Sequence, residues 1–294
     1  MTDQPVRNPE VSIPLDSNHP KVPQLIDSVI ILAIEAQNAF IDKYADYGQW
    51  AVDLSIPTFT YTGPDREAVF TPYFIGSTSG QSDTWMWGWN NINNFPEGVV
   101  EIAEEVYNFG AHFSEPLLTE ATQPLAEDAR REAGLPEADH GFGIERTFMH
   151  VAQALSGIAA PVWYRGPSGP NSYAWFLLSN PAEFSLPEAS VLTTVSALTE
   201  ALQSGYVSDA GMALEGYASK REGVTLDIDD TQAVLHTPGG DVNVDLDDQG
   251  RIARIHGTAG PAGAGPAEAP ADEQPGTPPA PEKPKGFLAK LFGR

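Results

Sequence analysis

The residues best placed for nucleophilic chemistry are the two serines of the polar run Gly76-Ser77-Thr78-Ser79-Gly80. A serine held on a sharp strand-to-helix turn needs Gly-x-Ser-x-Gly, and the central residue here is Thr78. A phosphate-cradling loop needs spaced glycines ending in Lys, and the run has neither feature. It reads as a polar connection between two strands. The six histidines, His19, His112, His140, His150, His236 and His256, include no His-x-x-x-His pair, and none has a carboxylate at metal-ligand spacing. Glu145 and His150 lie five apart on an expected helix, about 140° apart around its axis, and so read as independent. The acidic run Asp241 to Gly250 has glycine at its tenth position rather than its sixth and lacks a closing Glu, which removes a calcium loop. Its alternation marks the acidic outer face of a strand instead. With no cysteine, disulfides, thiolate catalysis and Cys-ligated zinc are excluded. No metal and no cofactor is expected.

Binding chemistry has better candidates. Trp85, Trp87 and Trp89 alternate within Ser82–Asn90, so on a strand they share one face. Each indole buries roughly 150–250 Å², which anchors a core, and a stripe of this kind usually is core. The polar end of that strand is the expected ligand site: Ser77, Ser79, Trp89 and Asn90. Gly88, among large residues, predicts the close approach of another backbone or a ligand. At the other end of the sequence, Phe287, Leu288, Leu291 and Phe292 fall on one helical face bordered by Lys290. A lone helix of that length is marginal in water, so these residues are expected to dock on a partner or, weakly, on a membrane surface.

The net charge is −24, and residues 1–258 carry all of it, with 36 acidic and 12 basic residues. An acidic body repels nucleic acid, where binding needs Lys and Arg to displace counterions, and suits a basic protein partner. The polar, proline-bearing start lacks the apolar core of a signal peptide, and Leu25–Phe40 is too short and too polar to span a bilayer. The expected location is cytoplasmic.

The elements that must position these residues read as α+β. Residues 1–20 form a flexible lead-in. Residues 21–185 form a domain built on an antiparallel meander centred on the Trp85/Trp87/Trp89 strand and covered by helices. One helix runs from Pro23 to a stop at Gly48, with Leu25, Ile26, Val29, Ala36 and Phe40 on its inner stripe. Strands follow at Trp50–Ile56, Phe59–Tyr61, Ala68–Ile75, Pro161–Arg165 and Ser172–Leu178, with helices at Glu97–Phe109, Leu125–Glu132 and Ile144–Leu155. Residues 186–258 form a helical pair plus a small β-meander, as a second domain or an extension. The pair covers Pro187–Gln203 and Ser208–Ala218, with Ser208 as N-cap. Four short strands then turn at Gly239-Gly240 and Asp248-Gln249-Gly250. Residues 259–282, almost wholly Ala, Gly, Pro and acid, read as a disordered linker, and 283–294 as an amphipathic basic tail.

The run Phe74-Ile75-Gly76-Ser77 followed by Thr84-Trp85-Met86-Trp87-Gly88-Trp89-Asn90 resembles an uncharacterised, mainly actinobacterial family marked by Ile-Gly-Ser and then Thr-Trp-x-Trp-x-Trp-Asn. Tyr164-Arg165-Gly166-Pro167 is similar to a later run of the same family. The resemblance covers about residues 25–180, plausibly to 256, and implies a shared domain of unknown function with no catalytic residues to transfer. The expectation is therefore a non-enzymatic binding protein with a tethered docking tail. The alternatives are an acidic inhibitor of a basic partner, as immunity-type proteins are, and a hydrolase or transferase acting near Ser77–Ser79.

Overall fold

A computed structural model describes residues 21–125 and 143–260. The lead-in, the helix expected at Leu125–Glu132, the linker beyond Gly260 and the tail with Phe287, Leu288, Lys290, Leu291 and Phe292 lie outside them, apart from Leu125 itself and Ala259–Gly260. The architecture is α+β with two antiparallel sheets, one of seven strands and one of four.

The apolar stripe from Val22 to Tyr44 folds as helix, but in two pieces. Helix α1 (Lys21–Asp27) and helix α2 (Ile30–Lys43) are bent by 49° at Ser28–Val29. No described helix alone is long and apolar enough to cross a membrane. Strands β1 (Gln49–Asp53) and β2 (Thr58–Thr62) form a hairpin, and β2 pairs with the start of β3 (Glu67–Ser79). Strand β3 is the hub. Its last four residues pair with β4 (Thr84–Trp87), and residues 71–78 pair with a later strand, β7 (Ser172–Ser179). The Gly76–Ser79 run expected as a connection is thus sheet, hydrogen-bonded to neighbours along both edges. Gly80–Asp83 alone makes the turn.

Trp85 and Trp87 are 0% and 1% exposed and face the main hydrophobic cluster. Trp89 leaves the strand, because Gly88–Asn90 forms a 3-10 turn closed by Asn91 in the left-handed region. The cause is contact with β3: a Cβ on Gly88 would stand 2.4 Å from the Phe74 carbonyl oxygen, so the chain turns where only glycine fits. The close backbone expected at Gly88 is therefore β3 itself.

Helix α3 (Glu97–Phe113) runs past the stop expected at Gly110 and is followed by a single turn, α4 (Pro116–Thr119), and β5 (Thr122–Pro124) on β4. Helix α5 (Glu145–Leu155) covers Trp85 and Trp87 through Phe148, with ring centroids at 5.1 and 4.7 Å. His150 on this helix is buried, and its Nδ1 lies 2.8 Å from Gln153 Oε1, whose amide donates to the Pro161 carbonyl. Burial holds the imidazole down to about 3, so it stays neutral. Strand β6 (Val162–Gly169) pairs with β7 through a tight turn at Pro170-Asn171, with Asn171 at φ 52°.

Helices α6 (Val191–Gln203) and α7 (Ala210–Lys220) pack on α2, and the meander β8 (Thr225–Ile228), β9 (Gln232–Thr237), β10 (Gly240–Leu246), β11 (Ile252–Ala259) packs on them. Its inner residues Ala233, Leu235, Val242 and Val244 are fully buried, while Asp241, Asn243 and Asp245 alternate outward as expected. Ser190 caps α6 through a capping box with Thr193. Asp209, rather than Ser208, caps α7 by accepting from Met212 N–H at 2.9 Å.

Ser208 has a different partner. Its N–H and hydroxyl, with the Asp209 N–H, donate to the buried Asp27 carboxylate at 2.8, 2.5 and 3.1 Å. Burial nonetheless pushes this carboxyl up to about 6. The folded state then holds a proton that the unfolded chain releases near pH 4. The contribution of Asp27 to stability is greatest below pH 4, falls as pH rises to 6, and is flat above; the drop is on the order of 2–3 kcal/mol. Urea midpoints at unit pH steps should show this slope in the wild type and a much shallower one in Asp27→Asn.

Candidate functional site

Cross-strand partners share a face of a sheet, so register decides what lies over β3. Ser77 pairs with Ala174 on β7, which pairs with Gly166 on β6. This row of three small residues crosses the sheet on the face opposite Trp85 and Trp87. The next row is large: Phe74, Phe176 and Tyr164. Small residues beside aromatic ones leave a trough, and a cavity of about 330 Å³, open to solvent, lies there. The volume is at the lower end of the range for ligand sites.

Each wall has a local cause. The register of β3 against β7 slips at Ile75, between Phe74 and Gly76. That bulge puts Ser77 on the side of Phe74, and both line the cavity. Trp50, Val52 and Leu54 close one side from β1 and the turn after it. The Trp50 indole stacks on Phe59 at 5.9 Å and meets Tyr164 edge-on at 5.3 Å. It lies directly on Gly166, where a Cβ would come within 2.5 Å of the ring. Pro167 and Ser168 continue that rim. The opposite side is Phe95 with Asn93. Asn91 holds this loop by a two-way clamp: its Oδ1 accepts from Phe95 N–H at 2.8 Å, and its Nδ2 donates to the Phe95 carbonyl at 3.0 Å.

Tyr164-Arg165-Gly166-Pro167 thus builds one wall from alternate faces. Tyr164 and Gly166 support Trp50, while Arg165 points to the other face and lies over Tyr173 and Trp175 at 4.3 and 5.6 Å. Ile75-Gly76-Ser77 builds the floor by its bulge.

The lining combines apolar surface with the Ser77 and Ser168 hydroxyls and the Asn93 amide. It includes no side chain that exchanges a proton near neutral pH. Among the described residues no group of three or more His, Asp or Glu is placed to hold a metal ion. A second cavity, of about 10 Å³ beside Phe40 and Tyr164, has room for a single water at most.

The four residues expected to form one site separate. Ser77 lines the cleft. Ser79, at the end of β3, accepts from Ser82 N–H at 3.3 Å and closes the β3–β4 turn. Trp89 packs on Tyr107 at 4.7 Å, against the main cluster, and Asn90 sits half-exposed in the 3-10 turn. Neither lines the cleft. Sequence reasoning missed Trp50, Phe95 and Asn91. The alternation Trp50, Val52, Leu54 was a usable signal, since it puts three apolar residues on one face of a strand that is otherwise exposed.

Residues 23–181, more than half of the chain, match a family described as a family of unknown function, DUF6882. No curated protein and no solved structure matches the chain.

Proposed function

Because the chain belongs to the DUF6882 family, whose description assigns no activity, we propose its role from the cleft: a non-enzymatic binding protein that recognises an uncharged, apolar group carrying an aromatic ring. One observation carries the reading. The cleft offers four aromatic side chains, Trp50, Phe74, Phe95 and Phe176, around small residues, with hydroxyls and an amide to orient a ligand and no charge to be desolvated. Ser77 opens into the same space, which keeps a hydrolase in view as a second reading. A serine there needs an adjacent base, and neither histidine nor carboxylate lines the cleft. We further propose a basic protein partner, on the strength of the −24 charge.

The test is to fill the trough. Ala174→Leu adds volume on the floor and should leave the thermal midpoint within a few degrees. With Phe287, Leu288, Leu291 and Phe292 replaced by alanine, the full-length protein should bind a neutral aromatic probe such as N-phenyl-1-naphthylamine, and lose at least tenfold in affinity when Ala174→Leu is added. Equal binding with and without Ala174→Leu would end the reading, and ester hydrolysis abolished by Ser77→Ala would replace it.

A further inference from the structure

We infer that the cleft is occupied in cis by the chain's own segment 283–294, with Phe287, Leu288, Leu291 and Phe292 supplying the apolar and aromatic groups. The inference rests on the binding reading above and names its ligand.

Three observations converge on this occupant. The cleft is open at its rim rather than enclosed, and its rim loops expose two further large apolar side chains, Ile56 at 70% and Ile92 at 61%. A surface of that kind suits a peptide segment that lays one side chain into the trough and others along the edge. Next, charge is complementary. Residues 283–294 hold Lys283, Lys285, Lys290 and Arg294 and no acid, whereas the body carries the −24. Beside the lining residues in the chain stands Glu97, two residues after Phe95 and exposed. The basic side chains are thus drawn to the acidic body while the uncharged trough receives the apolar ones. Finally, the tether is long enough. From Gly260 to Phe287 the chain spans up to ~90 Å extended, against a diameter of ~45 Å for a domain of this size. Tethering at that length raises the local concentration to the millimolar range, so a contact weak between separate molecules is largely formed within one. The consequence is a self-masked protein whose cleft opens when a competing surface takes the tail.

The test uses a fluorescein-labelled peptide of residues 283–294 and three full-length proteins: wild type, the F287A/L288A/L291A/F292A variant, and that variant carrying Ala174→Leu. Anisotropy should show binding to the quadruple variant, at least tenfold weaker binding to wild type, and loss when Ala174→Leu is added. Raising salt from 50 to 500 mM should weaken the binding several-fold. Equal binding to wild type and quadruple variant would overturn occupancy in cis, as would a wild-type dimer that the four alanines dissociate. Undiminished binding to the protein with Ala174→Leu would place the segment elsewhere and overturn the inference. If the peptide fails to bind the quadruple variant while the apolar probe still binds it, this inference falls and the binding reading stands. If the probe fails too, both fall.

Discussion

Glu35→Ala should cost about 3–5 kcal/mol of unfolding free energy, a large part of what a domain of this kind possesses. Glu35 on α2 is 5% exposed and receives Arg221, also 5% exposed, in a two-pronged contact at 2.9 and 3.0 Å. The Tyr217 hydroxyl donates to the same carboxylate at 2.9 Å and is itself 3.2 Å from the Thr194 hydroxyl. Removing the carboxylate leaves a guanidinium out of water with only the Pro187 and Glu222 carbonyls, and a tyrosine hydroxyl short of an acceptor. The cost arises from that stranded charge more than from the lost attraction. Glu35→Met combined with Arg221→Met should therefore be far milder than Glu35→Ala. Urea unfolding of the singles and the double gives the coupling directly, and added salt should alter it little because the pair is dry.

Trp85→Ala should be of comparable size, about 3–5 kcal/mol, because the ring is wholly enclosed by Trp87, Phe148 and Trp175 at 5.4, 5.1 and 6.1 Å. Phenylalanine at positions 85 and 87 should separate two otherwise similar rings. Trp87 Nε1 donates to the Leu117 carbonyl at 3.1 Å, whereas Trp85 Nε1 has no acceptor among the described residues. Trp87→Phe strips the Leu117 carbonyl of its donor and should lose more than Trp85→Phe, which removes an N–H without an acceptor among the described residues. Chemical denaturation with near-ultraviolet circular dichroism would rank the three variants.

Local signals were legible wherever the determining contact was itself local. The β9–β10 hairpin turns at Gly239-Gly240, the outer face of β10 alternates, and the inner stripe of α2 repeats at helical spacing, all as expected from sequence. Readings failed where a distant strand or helix decides. Gly76–Ser79 is a polar, flexible-looking run, and only pairing to Tyr173–Trp175, about a hundred residues away, makes it a strand. Trp89 continues the tryptophan alternation perfectly, yet the packing of Gly88 on β3 turns the backbone before it. The helix break at Ser28 carries no glycine or proline. It packs against α7, whose Gly216 lies so close that a Cβ would meet the Ser28 oxygen at 2.5 Å. The cleft was half legible. Ser77 was singled out, but its companions come from β1, β6, β7 and the loop before α3, and no short motif spans them.

The clamp on that break also sets a timetable for the chain on the ribosome. The Ser28 carbonyl, at the break, accepts from Lys220 at 2.7 Å, while Asp27 and Glu35 await Ser208 and Arg221. Those partners are made 181 to 192 residues later. At 5–20 residues per second the delay is roughly 10–40 s, during which a strongly apolar segment waits with two acids unpaired. Helices α1 and α2, though made early, are thus among the last to be locked. A nascent chain arrested before residue 208 should remain open to protease at Ser28–Val29, and one released just beyond Arg221 should close.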